Sequence, residues 1–178
     1  LVIPWFDGVL PIRIRIRRPD PVEFGPRYYM LPSSSSVTML LRHHENRHHP
    51  KTGLIMPEVY VVVESELDAI MLNCQCPDLC GAVALGSNSA HPDVAATKVL
   101  TGASVILNAL DFDAAGASEL DWWPKHFQKS RRWPVPKGKD PGDAYKLRVN
   151  IREWITAGLP EGMRIARSKE QGAQSKEL

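Results

Sequence analysis

Apolar residues fall into two rhythms along this chain. In the first stretch they alternate with polar ones. Ile12-Arg13-Ile14-Arg15-Ile16-Arg17 keeps strict period two, which predicts a strand with one apolar face and one arginine face. Pro19, Pro21, Gly25 and Pro26 mark a turn, and Arg27-Tyr28-Tyr29-Met30-Leu31 reads as the returning strand. After the polar loop Ser33–Ser36, Val37–Leu41 is short, apolar and strand-like. His43-His44-Glu45-Asn46-Arg47-His48-His49-Pro50 is polar and closes on proline. Its histidines invite a metal reading, but adjacent pairs on a loop do not converge without help, so an exposed loop is the plainer reading.

From residue 59 the rhythm becomes strand and helix in alternation. Val59–Val63 is a continuous apolar run, as in a parallel strand covered on both faces. Ser65 is placed to cap a helix through Leu67, Ala69, Ile70 and Leu72. Ala82–Leu85 is a second strand, followed by Gly86-Ser87-Asn88-Ser89 and a helix from about Pro92 to Leu100. Ser104–Leu110 is a third strand, and Ala114 to about Lys129 a helix. Arg132–Pro136 reads as a fourth strand at an edge, where proline is tolerated. A loop over Lys137–Asp143 leads into one helix over Ala144–Ala157. The expected fold class is α/β: a parallel sheet of about four strands flanked by helices, with a small N-terminal β-rich segment. The divisions expected are a basic β-rich segment over 1–57, the α/β domain over 58–158, and a polar, disordered tail over 159–178.

Composition narrows the class. A hydrophobic share of 43% with 24% charged residues in 178 is that of a globular protein with a sizeable core. No apolar run approaches the ~20 residues needed to span a bilayer, and no signal peptide is visible, so no membrane partner is expected. The absence of an initiator Met suggests a piece of a longer chain. Three cysteines, Cys74, Cys76 and Cys80, are too few and too close for a disulfide framework or a zinc site. They read as small, partly buried thiols in a reducing, cytoplasmic setting.

Net charge of +2 hides three bands. Residues 1–58 carry eight Lys/Arg against five Asp/Glu, residues 59–128 two against nine, and residues 129–178 twelve against six. An acidic centre between basic flanks suits a cation site with arms that meet phosphate; a solvated basic surface is the alternative.

The acids in that centre follow strands. Glu64 comes after the first strand, Asp111 and Asp113 after the third, and Asp140 after the fourth. Asp68, four residues beyond Glu64, sits in the first turn of the next helix and can face the same cleft. Each acid alone could simply stabilise a helix N-terminus. Together they would repel unless a cation neutralised them. Oxygen ligands without His or Cys favour Mg²⁺ or Mn²⁺, ions that bridge to phosphate in phosphoryl transfer.

These residues also carry a resemblance. Val61-Val62-Val63-Glu64-Ser65-Glu66-Leu67-Asp68-Ala69 resembles the glutamate motif of Toprim domains, which bacterial DnaG-type primases share with topoisomerases and some nucleases. Leu110-Asp111-Phe112-Asp113-Ala114-Ala115-Gly116 is similar to the primase form of the second Toprim motif. Ala84-Leu85-Gly86-Ser87 resembles the glycine segment after the second strand, and Lys139-Asp140-Pro141-Gly142-Asp143 the last acidic segment. The second acid of that segment, Asp143, comes one residue late. The motifs run over residues 58–147. In front of them, Arg27–Ser33 is similar to a basic segment of primase catalytic cores, with Met30 in place of an Asn.

The resemblance implies a metal-dependent nucleotidyltransferase that makes RNA primers on single-stranded DNA from nucleoside triphosphates. Glu64, Asp111 and Asp113 would be its catalytic metal ligands, with Asp68 and Asp140 in support and Mg²⁺ or Mn²⁺ as cofactor. Arg13, Arg15 and Arg27 would meet template or nucleotide phosphate. A fused or separate replicative helicase, of phage or mobile-element kind, is the implied partner. No zinc-binding front domain or long helical bundle accompanies these motifs, so a catalytically incomplete piece is expected. A Toprim-type nuclease using the same acids, or a non-catalytic nucleic-acid-binding module, are the alternatives. The spacing of the second motif and the primase-like front segment argue against the nuclease.

Overall fold

The computed structural model describes residues 1–7, 9–19, 24–42, 57–87, 89–110 and 121–163. Among the expected features, the histidine-rich segment at 43–50, the acids Asp111 and Asp113, and residues 164–178 of the tail lie outside these residues, whereas Leu159, expected to open a disordered tail, is buried in the core. The chain divides into two compact units, Leu1–Val37 and Thr38–Leu178.

The smaller unit is an antiparallel sheet in the order β1 (Val2–Asp7), β2 (Leu10–Arg17), β3 (Tyr28–Met30). The period-two stretch is its central strand. Register places Ile3 beside Arg15, Trp5 beside Arg13 and Tyr28 beside Arg17, so the arginine face also carries apolar and aromatic neighbours. Arg18 N–H donates to Arg27 O at 2.9 Å and closes the β2–β3 hairpin, whose turn passes through Gly25 at φ 76°.

The larger unit is a five-stranded sheet in the order β4-β6-β5-β7-β8. β5 (Val59–Val63), β6 (Gly81–Ala84), β7 (Val105–Asn108) and β8 (Ser130–Arg132) are mutually parallel. The fifth strand, β4 (Met39–Leu41), runs antiparallel on the outer side of β6. The sequence places a strand there but not its sheet. Asp93 fixes the entry to that strand: its Oδ2 accepts from Thr38 N–H at 2.8 Å, and its own N–H donates to Thr38 Oγ1 at 3.1 Å.

Helices cover both faces. α1 (Glu66–Gln75), α4 (Pro141–Lys146) and α5 (Ile151–Ala157) contribute Ala69, Leu72, Ala144, Trp154 and Ile155 to the core under Val59, Val61 and Val63. α2 (Val94–Gly102) and α3 (Trp122–His126) contribute Ala96, Leu100 and Trp123 to the core over Tyr60 and Val62. All five residues of β5 are therefore buried, which is why the run shows no alternation.

Two expected elements need correction. The single helix over Ala144–Ala157 is instead α4 and α5, separated at Leu147–Asn150. Asp140 caps α4 with Pro141 in its first turn, and the chain leaves it through Arg148 at φ 63°. Asn150 Oδ1 then accepts from Glu153 N–H at 3.2 Å and starts α5. The edge strand comes earlier than Arg132–Pro136. It occupies Ser130–Arg132, because α3 ends with His126 and the chain is already extended at Phe127; residues 114–120 of the expected long helix lie outside the described residues. The three cysteines are free, Cys76 and Cys80 buried and Cys74 exposed, and burial pushes the Cys76 thiol up to about 11.

Candidate functional site

The parallel strands deliver their ends together. Val62 pairs with Asn108, so Glu64 on the β5 side and Leu110 on the β7 side stand level at the carboxyl edge of the sheet. That edge is where open α/β sheets bind ligands. Ala109 N–H donates to Val62 O at 2.9 Å and extends the pairing beyond both strands. The Glu64 backbone is pinned from the other flank, where Gly86 N–H donates to its carbonyl at 2.8 Å. Gly86 has φ 85°, so glycine at this turn answers a conformational need. The Glu64 side chain is exposed at the edge.

Asn108, to which the sequence reading gives no role, shapes the exit from β7. It is 2% exposed, its Oδ1 accepts from Leu110 N–H at 3.1 Å, and its carbonyl accepts from Trp133 N–H at 2.7 Å. A side-chain turn of this kind aims the chain that runs on into Asp111. An Asn at the end of an apolar run, two residues before an acid pair, is the signal that could have flagged it.

Asp68 is buried on the first turn of α1, at 6% exposure. Ser65 caps the helix, receiving Asp68 N–H at 3.2 Å, and its hydroxyl donates to Asp68 Oδ2 at 2.7 Å. Gly142 N–H, from α4, donates to Asp68 Oδ1 at 2.9 Å. A methyl group on Gly142 would stand 2.5 Å from Asp68 Oδ1 and 3.4 Å from Asp140 Oδ1, so the two helix starts and the two acids are packed tightly together. Burial lifts the Asp68 carboxyl from 3.8 to about 6. The Ser65 hydroxyl lowers it, the Asp140 charge raises it, the Gly142 N–H lowers it and the Asp143 charge raises it, in that order of size.

Asp140 is half-buried at the α4 cap, its Oδ1 accepting from Asp143 N–H at 2.6 Å. Asp143 turns toward Lys146, 3.2 Å away. Glu66, the acid between Glu64 and Asp68, is fully buried. Glu64, Asp68 and Asp140 thus end up at the carboxyl edge or on the helix starts beside it. Among the described residues no group of three His, Cys, Asp or Glu side chains is placed to hold a metal ion. The donor chemistry still fits a hard cation. The carboxylates are oxygen donors without a thiolate or imidazole among them, and beside the dominant effect of burial the negative charges of Asp140 and Asp143 raise the Asp68 carboxyl further.

The arginines belong to the smaller unit. Arg13 is 4% exposed, donates from Nη1 to Val37 O at 2.8 Å and lies 4.4 Å from the Trp5 ring centroid. Arg15 lies 4.5 Å over Tyr28, and Arg27 is exposed. Outward contacts from this set fall to Arg15 and Arg27.

The sequence matches no protein-family model, and no curated protein matches it. Solved structures do resemble it in fold. The zinc-binding and RNA polymerase domains of the Aquifex aeolicus primase align with 98% of this chain and 44% of theirs, at 18% identity and TM-score 0.59. The primase fragment of the bacteriophage T7 primase-helicase protein aligns with 86% of this chain and 60% of its own, at 19% identity and TM-score 0.55. The RNA polymerase domain of Mycobacterium tuberculosis primase DnaG aligns with 86% of this chain and 52% of its own, at 17% identity and TM-score 0.59. The chain spans about half the length of the primase structures it resembles, and its fold is similar to that of these primase domains. Among the described residues no helix is long and apolar enough to cross a membrane.

Proposed function

We propose that this chain is the Toprim-bearing catalytic core of a DNA primase, a nucleotidyltransferase that joins ribonucleotides on a single-stranded DNA template. The observation that carries the reading is the level pairing of β5 and β7. It sets Glu64 beside Leu110, the residue immediately before the Asp111-Phe112-Asp113 stretch. The likeness to primase domains supports the same reading from the fold.

In this reading Glu64, Asp111 and Asp113 hold Mg²⁺ or Mn²⁺, with Asp140 beside them. When bound, such ions neutralise the triphosphate and acidify the attacking hydroxyl. Asp68 acts chiefly from behind: with one oxygen on Ser65 and the other on Gly142, it ties the helix start after Glu64 to the helix start at Asp140. Asn108 sets the direction of the chain entering Asp111. Arg15 and Arg27 meet phosphates of template or nucleotide, and Arg13 braces that face from within against Trp5. A replicative helicase is the expected partner, since one structural relative is a primase-helicase protein.

Primer synthesis tests the proposal. With a single-stranded template, ribonucleoside triphosphates and Mn²⁺, the protein carrying this chain should make short RNA. Asp111→Ala and Glu64→Gln should each lower the yield about a hundredfold or more. Undiminished yield in Asp111→Ala would overturn the assignment. Template cleavage without nucleotides, lost in the same variant, would replace it with a nuclease.

A further inference from the structure

The basic residues of the larger unit are not evenly spread. Between Asp121 and Asp140 the chain carries six Lys/Arg and no acid: Lys125, Lys129, Arg131, Arg132, Lys137 and Lys139. All six are exposed. Lys125 lies on α3, Arg131 and Arg132 on β8, the edge strand of the sheet, Lys129 between the two elements, and Lys137 and Lys139 on the loop that follows. This band belongs to a different unit from the arginine face of the front segment.

An aromatic stack stands at one end of the band. Trp122 is sandwiched between two exposed imidazoles, His91 at 3.9 Å and 5° and His126 at 4.1 Å and 18° between ring centroids and planes. Trp123 and Phe127 meet Trp122 edge-on at 5.3 and 5.9 Å and fix its ring. His126 Nδ1 lies 2.8 Å from Trp122 O, so its ring is held parallel to the indole. His126 also lines an open cavity of about 240 Å³, with Ile106 and Phe127 at its apolar side and Lys125, Gln128 and Lys129 at its polar side. The exposed His126 ring, the apolar side chains lining the cavity, and Lys125 and Lys129, whose Nζ also donates to Ala103 O at 2.9 Å, suit an unpaired base and its phosphate.

The band has a direction. β8 runs parallel to β7, with Ser130 beside Ile106 and Arg132 beside Asn108. A strand seated on it would start at the cavity, follow β8, and pass Lys137 and Lys139 to Asp140, which caps α4 beside Asp68.

We infer that the α3–β8 edge is a contact track for single-stranded DNA, with a base against His126 and phosphates on Lys125, Lys129 and Arg131. The choice of DNA rests on the primase reading; the preference for an unpaired strand rests on the stack and cavity. An acidic peptide would use the cations but not the stacked rings.

Anisotropy of a labelled oligo-dT of about 20 nucleotides, measured with EDTA present across a salt series, tests the track without any metal. Lys125→Glu with Arg131→Glu should weaken binding about tenfold or more and lower the salt slope by about two. His126→Ala should weaken it about fivefold or more and leave the slope unchanged. All three side chains are exposed, so circular dichroism should match the parent, and Tm should fall only slightly in His126→Ala, whose ring stacks on Trp122. Unchanged affinity in both variants would overturn the inference. So would equal binding of duplex DNA, preference for oligo-rU, or an acidic peptide that displaces the oligonucleotide and is equally sensitive to His126→Ala. The primase reading fails separately, through primer synthesis that survives Asp111→Ala; DNA binding in EDTA is indifferent to that result.

Discussion

At the scale of one residue, Asp68 has the most to say. Its spacing from Glu64 was legible as helical periodicity, and its capping partner Ser65 was legible as a helix start. What no local pattern carries is that Gly142, 74 residues away in sequence, donates to its second oxygen. A spacing rule assigns a face; it does not report that both oxygens are already engaged. The raised carboxyl gives a signed expectation for metal-free protein. The unfolded value is 3.8 and the folded value about 6, so between them the folded state binds the extra proton. Stability is therefore gained as pH falls from about 6 toward 4, and lost as it rises through about 6. The full contribution is ~3 kcal/mol, from a difference of about 2.2 between the folded and unfolded values at 1.36 kcal/mol per unit. Asp68→Asn keeps an acceptor for Gly142 and removes the charge. It should flatten this slope in a thermal melt across pH and be the more stable protein at pH 7.5 in EDTA. A parallel pH profile in the two proteins would refute the account. Gly142→Ala asks about the same junction sterically. Its methyl group would fall 2.5 Å from Asp68 Oδ1, so either α4 or the Asp68 carboxylate must shift and the Gly142–Asp68 hydrogen bond is strained, and a loss of ~1–3 kcal/mol in urea unfolding is expected.

At the scale of elements, the sequence was most legible where one force dominated. The buried β5 run, the Ser65 cap and the arginine-striped β2 all came through, because apolar periodicity and capping chemistry act locally. The helix pair α4 and α5 did not. Apolar residues continue at helical spacing across 144–157, and only the αL residue Arg148, followed by the Asn150 cap, interrupts them. A non-glycine residue at φ 63° carries a steric cost that glycine does not. Arg148→Gly should then raise stability by about 0.5–1 kcal/mol net of its extra chain entropy, read as a higher Tm. A lower Tm would show that the Arg148 side chain contributes more than its backbone costs. Asn108→Ala tests the exit from β7. It leaves the buried Leu110 N–H without its side-chain acceptor, at a cost of ~1–3 kcal/mol. It should also lower primer synthesis, by loosening the chain that leads to Asp111. Stability lost with full activity kept would confine Asn108 to a structural role.

At the scale of the whole molecule, the three charge bands were visible in the sequence, and the fold brings several acids of the middle band to the carboxyl edge of the sheet and the helix starts beside it. β5 and β7 bring Glu64 level with Leu110, while the crossovers bring Asp68 and Asp140 onto adjoining helix starts. The burial of Arg13 was not visible, because alternation alone cannot tell which side of a strand a neighbouring Trp5 will cover. A cluster of acids that repel one another destabilises the fold until a cation joins it, so metal binding should appear as stabilisation. At a Mn²⁺ concentration one hundred times the dissociation constant, a single site adds about 2.7 kcal/mol. For a chain of 178 residues that corresponds to a rise in Tm of roughly 5–10 °C. On the proposed function, the rise should saturate with Mn²⁺, appear less strongly with the larger Ca²⁺, and vanish in Glu64→Gln and Asp111→Asn. Asp68→Asn should keep most of it, since that side chain acts from behind the site. Equal shifts in the parent, Glu64→Gln and Asp111→Asn would mean the ion binds elsewhere, and the acids at the strand ends would then be no more than neighbours.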